Sequence, residues 1–118
     1  MADLLEKKCV PCEGGIPPFS KEKEKEYINQ VKGWSLIKEG IHRINREFSF
    51  EDFKEAMKFV NQVAELAEDE GHHPDIFIYY NQVILELHTH AIKGLHLNDF
   101  ILAAKINELF QNESYQKS

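Results

Sequence analysis

The chain has 118 residues, of which 42% are hydrophobic and 29% are charged, and its formal net charge is -6 at pH 7. That length suits one core, so we expect a single domain over residues 1–118. The negative charge argues against nucleic-acid binding through a basic surface, because phosphate contacts require clustered lysine and arginine. No apolar stretch approaches the ~20 residues of a membrane span, and we expect no signal peptide and a cytoplasmic protein.

The first residues, 1–19, are expected to form a loop leader, rich in proline and glycine from Cys9 onward. Cys9 and Cys12 make a lone Cys-x-x-Cys within it. Ser20 is a suitable N-cap, since its hydroxyl can accept a hydrogen bond from an unpaired backbone N–H. It predicts a first helix over Lys21–Val31.

Two strands should follow this helix. The first is short and apolar, Trp34–Ile37, and Glu39-Gly40 reads as a turn. In the second strand, from Ile41 onward, apolar residues fall on one parity with Arg46 as the exception, which indicates one buried face. The residues that share this face are Ile44, Phe48 and Phe50.

The next segment shows the clearest helical pattern. Ser49 begins a Ser-Phe-Glu-Asp capping-box pattern. Apolar residues then recur at three- and four-residue intervals, which predicts an amphipathic helix. They are Phe53, Ala56, Met57, Val60, Val63, Ala64 and Ala67. Gly71 should end the helix and leave His72 and His73 just beyond it.

A second pair of strands is predicted over Asp75–Tyr80 and Val83–His90, with a turn at Asn81-Gln82. Alternation puts Val83, Leu85 and Leu87 on one face, and His88 and His90 on the other. A last helix is predicted over Leu97–Phe110. The order of these elements predicts an α+β domain of two layers, a four-stranded antiparallel sheet with helices packed on one face.

Five of the six histidines fall between Glu68 and Asp99. Glu68 lies one helical turn before His72, so its carboxylate could orient that imidazole for acid–base work. A structural alternative is that His72 and His73 only cap the last carbonyls of the helix. The local sequence favours neither interpretation.

Two other site chemistries are open but weak. His88 and His90 could join Cys9 and Cys12 in a zinc site, yet the usual ligand spacings are absent, so we expect no metal. The two cysteines could be a redox pair, but a thioredoxin-type pair lies between a strand and a helix. A non-functional thiol pair is the preferred interpretation.

No phosphate-binding glycine loop and no Gly-x-Ser-x-Gly occur in the sequence. Several imidazoles, one or two carboxylates and aromatic side chains remain as candidate site groups. Such a set suits proton transfer on a flat heteroaromatic ligand.

The same residues match a known signature, an acidic residue, three spacers, His-His-Pro, an aromatic residue, a later His and an Asp. In this chain it comprises Glu68, His72-His73-Pro74, Tyr80, His90 and Asp99. The chain thereby resembles the pterin-4a-carbinolamine dehydratases. The resemblance extends to Gly33-Trp34 and to residues 48–53, and the Lys8–Gly15 stretch is similar to the leader of many microbial and plant members. One departure is His96, where the family commonly has Ser or Thr to cap the last helix.

The resemblance implies the same two-layer fold, assembled into homodimers or homotetramers. It implies dehydration of 4a-hydroxytetrahydropterin to quinonoid dihydropterin with no metal or organic cofactor. The catalytic residues would be His72, His73 and His90. The substrate-binding residues would be Glu68, Trp34 and Asp99, with Glu68 as the orienting carboxylate and the other two at the pocket rim.

Within that reaction our hypothesis makes His72 the base, lets His90 donate toward the leaving hydroxyl, and leaves His73 to position the substrate. Two alternatives to this enzyme stay open. Members of the family can act as dimerisation partners of transcription factors, and a pterin-related role in molybdopterin metabolism would use another substrate.

Overall fold

The computed structural model describes residues 2–10 and 16–112. The helices and strands occur in the order predicted from the sequence, with one additional short helix before them and a 3-10 turn before the last helix. The elements are α1 (Ala2–Glu6), α2 (Lys21–Ile28), β1 (Ser35–Ile37), β2 (Arg43–Ser49), α3 (Phe53–Glu70), β3 (Asp75–Tyr79), β4 (Gln82–Leu87), a 3-10 turn (His90–Ile92) and α4 (Leu97–Asn112).

The four strands form one antiparallel sheet with the order β1-β2-β4-β3. Strand β4 is central, and it pairs Leu87 with Ile44 of β2 and Leu85 with Ile76 of β3. Each hairpin therefore contributes one inner and one edge strand. The sheet confirms the predicted α+β class.

The helices cover one face of this sheet. Val83, Leu85 and Leu87 point to that face and are 0% exposed. Phe48 of β2 lies between the two long helices, with ring centroids 4.8 Å from Phe59 of α3 and 5.0 Å from Phe110 of α4. The alternation in the sequence predicted this face, because successive strand side chains point to opposite sides.

The N-terminal leader differs from the predicted loop. Ala2–Glu6 is the short helix α1, and Leu4 within it is 1% exposed and part of the core. Helix α1 packs against α4. Five residues are too few to show a helical period, and so short a helix is stable only through such packing.

A polar side chain caps the start of α2, and another caps the start of α3. The Ser20 hydroxyl accepts from the Lys23 N–H, as predicted, although α2 ends at Ile28 and not at Val31. At α3 the cap is the Asp52 carboxylate, which accepts from the Glu55 N–H, and Ser49 instead ends β2. Strand pairing of Ser49 with Gln82 holds it outside the helix.

The second hairpin is shorter than predicted. Tyr79 pairs with Gln82, so the turn is Tyr80-Asn81, and Tyr80 adopts a positive φ of 55°. Strand β4 ends at Leu87, because the paired segments of β2 and β3 extend no further along it. His90 therefore begins a 3-10 turn and does not lie in the strand.

Helix α4 begins at Leu97 even though His96 offers no capping hydroxyl. The Asp99 carboxylate supplies the missing contact, because it accepts from the His96 backbone N–H at 3.0 Å. In residues 2–10 and 16–112 there is no helix with the length and apolarity needed to cross a membrane.

Candidate active site

The turn after α3 sends two adjacent imidazoles in different directions. Gly71 ends the helix in the left-handed region with φ 69°, which side chains other than glycine disfavour. The backbone N–H groups of Gly71 and His72 both donate to the Ala67 carbonyl. As a result His72 is only 9% exposed, whereas the His73 side chain is 57% exposed.

His72 is held by a buried carboxylate. Its Nε2 donates to Asp99 Oδ1 over 2.6 Å, and Asp99 is 0% exposed. The other oxygen, Oδ2, accepts from the Thr89 hydroxyl at 2.8 Å and from the His96 N–H at 3.0 Å. With Nε2 used as a donor, the neutral imidazole keeps its free lone pair on Nδ1. That atom can accept a proton.

The carboxylate of Glu68 binds His73, the second of the two adjacent histidines. His73 Nε2 donates to Glu68 Oε2 over 2.6 Å, and both side chains are largely exposed. The sequence had suggested Glu68 as the partner of His72, one turn further along the helix. Because Gly71 reverses the chain, His72 turns inward to Asp99 and His73 faces Glu68. Water weakens a pair this exposed.

Two more imidazoles follow β4. Their ring centroids lie 4.1 Å apart, with His90 in the 3-10 turn and His88 just before it. Between them the Thr89 backbone pairs with Gly94, which closes a loop at this end of the sheet. Burial, and then the neighbouring charge on His90, lowers the pKa of His88. His88 therefore favours the neutral form.

A cleft of about 250 Å³ lies between the turn after α3 and the 3-10 turn. Three of the predicted residues, His72, His73 and His90, share its walls. The other lining residues are Gly71, Pro74, Asp75, Thr89 and Ala91. A larger, mostly apolar cleft of about 350 Å³ is also lined by Thr89, but among the histidines only His96 lines it. We assign the candidate site to the smaller cleft.

Thr89 and Asp75 were not predicted as site residues. Thr89 is 2% exposed and reaches Asp99 through its hydroxyl. Its position between His88 and His90 was the available signal, since a residue flanked by two site candidates also lies near the site. Asp75 follows Pro74 directly, at the start of β3.

Trp34 and Asp99, which the resemblance places at the pocket rim, do not line the rim of this cleft. Trp34 is 5% exposed and its Nε1 donates to Asn107 of α4. Asn107 follows Asp99 by eight residues, or about 12 Å along the helix, so Trp34 lies in the core and not at the rim of this cleft. Asp99 is too deeply buried to form the rim, and it contacts His72 instead. Tyr80, the aromatic residue of the signature, is 67% exposed at the hairpin turn.

The Cys-x-x-Cys can be described only in part, since Cys12 lies outside the described residues. Burial, followed by the negative charge of Glu70, raises the pKa of Cys9 to about 12. Its thiol donates to the Asn98 carbonyl oxygen at 3.5 Å. A thiol held protonated in this way is a poor nucleophile and a poor metal ligand. Within residues 2–10 and 16–112, no three His, Cys, Asp or Glu side chains converge as metal ligands.

Comparison with protein families gives one clear match. Residues 17–109 match the family model described as pterin 4 alpha carbinolamine dehydratase. A relative from Chlorobium luteolum, provisionally named pterin-4-alpha-carbinolamine dehydratase, is 44% identical over 94% of this chain and 98% of its own length. A relative from Methylococcus capsulatus with the same name is 48% identical over 90% and 92%.

Solved structures agree with this match. The crystal structure of a transcriptional coactivator/pterin dehydratase from Brucella melitensis superposes with a TM-score of 0.73. It is 33% identical and covers 78% of this chain and 97% of its own. A pterin dehydratase-like protein described as a RuBisCO assembly factor in the alpha-carboxysome superposes with a TM-score of 0.56 at 20% identity, over 65% of this chain and 88% of its own. That similarity concerns the fold alone.

Proposed function

Since the chain belongs to the pterin-4a-carbinolamine dehydratase family, we propose that it dehydrates 4a-hydroxytetrahydropterin to quinonoid dihydropterin by histidine acid–base catalysis. The reaction removes the proton from ring N5 and breaks the C4a–oxygen bond. The electron pair left on N5 forms the C4a=N5 double bond, and the leaving hydroxide takes a proton to become water. No change of oxidation state is involved, so proton donors and acceptors are sufficient.

The hydrogen bond from His72 to Asp99 carries the proposal. It leaves Nδ1 of His72 as the acceptor for the N5 proton, and the imidazolium that forms would lie against the Asp99 carboxylate. His90 lines the same cleft and would donate a proton to the departing hydroxyl. His73, held by Glu68, would position the substrate at the open side. These roles are the ones expected from the sequence, with Asp99 added as a positioning residue.

We propose tetrahydrobiopterin recycling as the physiological setting, because this is where a 4a-hydroxytetrahydropterin arises. The Brucella melitensis structure is described as both a coactivator and a dehydratase. The alternative of a binding role has one supporting observation, the exposed aromatic residues Phe77 and Tyr79 on the open sheet face. A dehydration assay distinguishes the enzymatic function from this binding role.

The test is to mix the purified chain with freshly generated 4a-hydroxytetrahydropterin and follow quinonoid dihydropterin by absorbance, with and without a chelator. We expect acceleration over the spontaneous reaction that His72→Ala reduces about 100-fold, the scale at which general acid–base groups contribute. The control is His42→Ala. His42 also donates to a carboxylate, that of Glu24 at 2.8 Å, but lies outside the cleft.

The substitution Asp99→Asn tests whether catalysis depends on the tautomer of His72 that carries its proton on Nε2. An asparagine can turn its N–H₂ toward Nε2, which would place the proton on Nδ1 and block the base. We expect a loss in kcat close to that of His72→Ala, with little change in KM. A folded wild-type chain that gives no acceleration would exclude the dehydratase function and favour the binding role.

A further inference from the structure

The residues next to the site are bound by a segment that the proposed chemistry does not use. We call residues 7–10, which follow α1 and cross the start of α4, the N-terminal strap. One of its anchors is Glu70, the last residue of α3, which is 8% exposed. The Glu70 carboxylate accepts from the Cys9 backbone N–H at 2.8 Å and from Lys105 Nζ at 2.6 Å.

The charge of Glu70 is stabilised in this position. Burial alone would raise the pKa of Glu70, but the Lys105 ammonium and the Cys9 N–H outweigh it and lower that pKa. Buried carboxylates are costly unless they are paired and hydrogen-bonded in this way. The strap therefore supplies one of the contacts that make a charged residue tolerable at the end of α3.

The second anchor is Asn98, which is 7% exposed near the start of α4. Its side-chain oxygen accepts from the Val10 N–H at 3.1 Å, and its side-chain N–H₂ donates to the Val10 carbonyl at 2.7 Å. One asparagine thus binds both polar groups of one backbone residue. Two hydrogen bonds to one residue restrict both the distance between Asn98 and Val10 and the orientation of the Val10 backbone.

Glu70 and Asn98 lie next to the two residues of the His72–Asp99 hydrogen bond. Glu70 precedes His72 by two residues, and Asn98 directly precedes Asp99. His72 and Asp99 lie 27 residues apart and reach each other from different helix ends. The strap is hydrogen-bonded to both of these helix ends, through Glu70 at the end of α3 and Asn98 at the start of α4.

We propose that the N-terminal strap is a positioning element of the active site, and that Asn98 and Glu70 are the positioning residues through which it keeps the His72–Asp99 hydrogen bond in its catalytic geometry. The proposal rests on the proposed function for its catalytic consequence only. Neither anchor lines the histidine cleft, so both act through the residues beside them. Displacing a catalytic group by about 1 Å can reduce the rate 100-fold, so a small shift of the strap matters.

Asn98→Ala removes both bonds to Val10 and is the principal test. We expect kcat to fall about 10-fold while KM changes less than about 2-fold, because the substrate-facing side chains are retained. Two further readouts are expected to change. The Nε2 proton of His72, followed by NMR, should exchange faster with water, and Cys9 should be alkylated faster, as measured by mass spectrometry of its peptide.

The matched control is Asn112→Ala, because Asn112 is an exposed asparagine on the same helix, about 21 Å from Asn98 along its axis. It should leave all three readouts unchanged. Asn98→Ser is the conservative variant, because its shorter hydroxyl adds no charge and can keep one of the two hydrogen bonds to Val10. It should show a smaller loss in kcat than Asn98→Ala, and it replaces that variant if the alanine protein does not fold.

Faster alkylation of Cys9 with unchanged kcat and unchanged proton exchange at His72 would overturn the proposal, since the strap would then be released without consequence for the site. Unchanged alkylation would also overturn it, because Asn98 would not be an anchor. If the wild-type chain does not accelerate the dehydration, the proposed function fails, and proton exchange at His72 still decides whether the strap positions the pair.

Discussion

At Asp99, donors from three parts of the chain meet on one buried carboxylate. His72 follows α3, Thr89 follows β4, and the His96 N–H belongs to the start of α4. The signature in the sequence marked Asp99 as a site residue but did not reveal its partner. Glu68 looked closer because it lies one turn from His72 along the chain, and spacing along the chain carries no information about the direction of the turn at Gly71.

His88 is a titratable residue with an unusual set of neighbours. Burial and the adjacent His90 lower the pKa of His88, while the charges of Asp99, Asp75 and Glu86 act in the opposite direction and are outweighed. A lowered pKa means that the folded chain binds fewer protons than the unfolded chain below the ordinary histidine pKa of about 6.5. His88 must therefore reduce stability as the pH falls below that value.

We predict that replacing His88 with asparagine removes this dependence. The free energy of unfolding in urea should fall more for the wild type than for His88→Asn between pH 7.5 and pH 5, since only the wild type has the proton-binding difference at this position. As a control, the two proteins should change in parallel between pH 7.5 and pH 8.5, where neither state of His88 titrates. Parallel curves over the acid range would contradict the lowered pKa.

At the scale of elements, the ends of helices decide the geometry of the site. Helix α3 ends at Gly71 in a left-handed residue, and α4 begins where Asp99 reaches back to the His96 N–H. The amphipathic pattern predicted the body of α3 and its glycine stop. It could not predict that the cap of α4 is also the partner of His72, because that contact joins residues that are distant in sequence.

We predict that Gly71→Ala destabilises the protein and also reduces activity. A β-carbon at Gly71 would meet nothing within 4 Å, so the cost is backbone strain at φ 69°, about 1–2 kcal/mol. Relief of that strain would turn the chain at the residue just before His72. Urea unfolding and the dehydration assay measure the two effects.

Gly40→Ala is the matched control for this prediction. Gly40 has the same φ of 69° and the same open space, but it lies in the β1–β2 turn and does not line the cleft. It should lose comparable stability and keep full activity per folded molecule. Equal losses of activity in both variants would show that the conformation of Gly71 has no special importance for the site.

At the scale of the whole molecule, one face of the sheet and one edge lack a covering layer among the described residues. Strand β3 is an edge strand, and Phe77 and Tyr79 on its outer face are 40% and 59% exposed. Exposed apolar strands of this kind promote association with another chain. This surface could bind a second copy of the chain as well as another protein, and the homodimer or homotetramer implied by the resemblance stays a prediction.

We predict that light scattering of the purified chain gives the mass of a dimer or tetramer. Replacing Phe77 and Tyr79 together with lysine should shift the mass toward the monomer, because lysine opposes association at an exposed strand. Glu51→Lys, at an exposed loop position before α3, should leave the mass unchanged. A monomeric wild type would contradict the prediction.

Most of the secondary structure was predictable because it depends on local periods. The apolar spacing of α3 and the alternation in β2 and β4 repeat within a few residues, and the structure confirms all three elements. The short helix α1 was missed because its stability depends on Leu4 packing against α4. Strand β4 was predicted too long because its end is determined by the lengths of its two partner strands.

The sequence alone determined the class of fold, the buried face of the sheet and the group of imidazoles near the ends of α3 and β4. Only the tertiary structure decided that His72 pairs with Asp99, that Glu68 accepts a hydrogen bond from His73, and that Trp34 lies in the core. The physical reason is that periodicity reports which side of an element is buried, whereas a hydrogen bond depends on which side chains meet after distant elements have packed together.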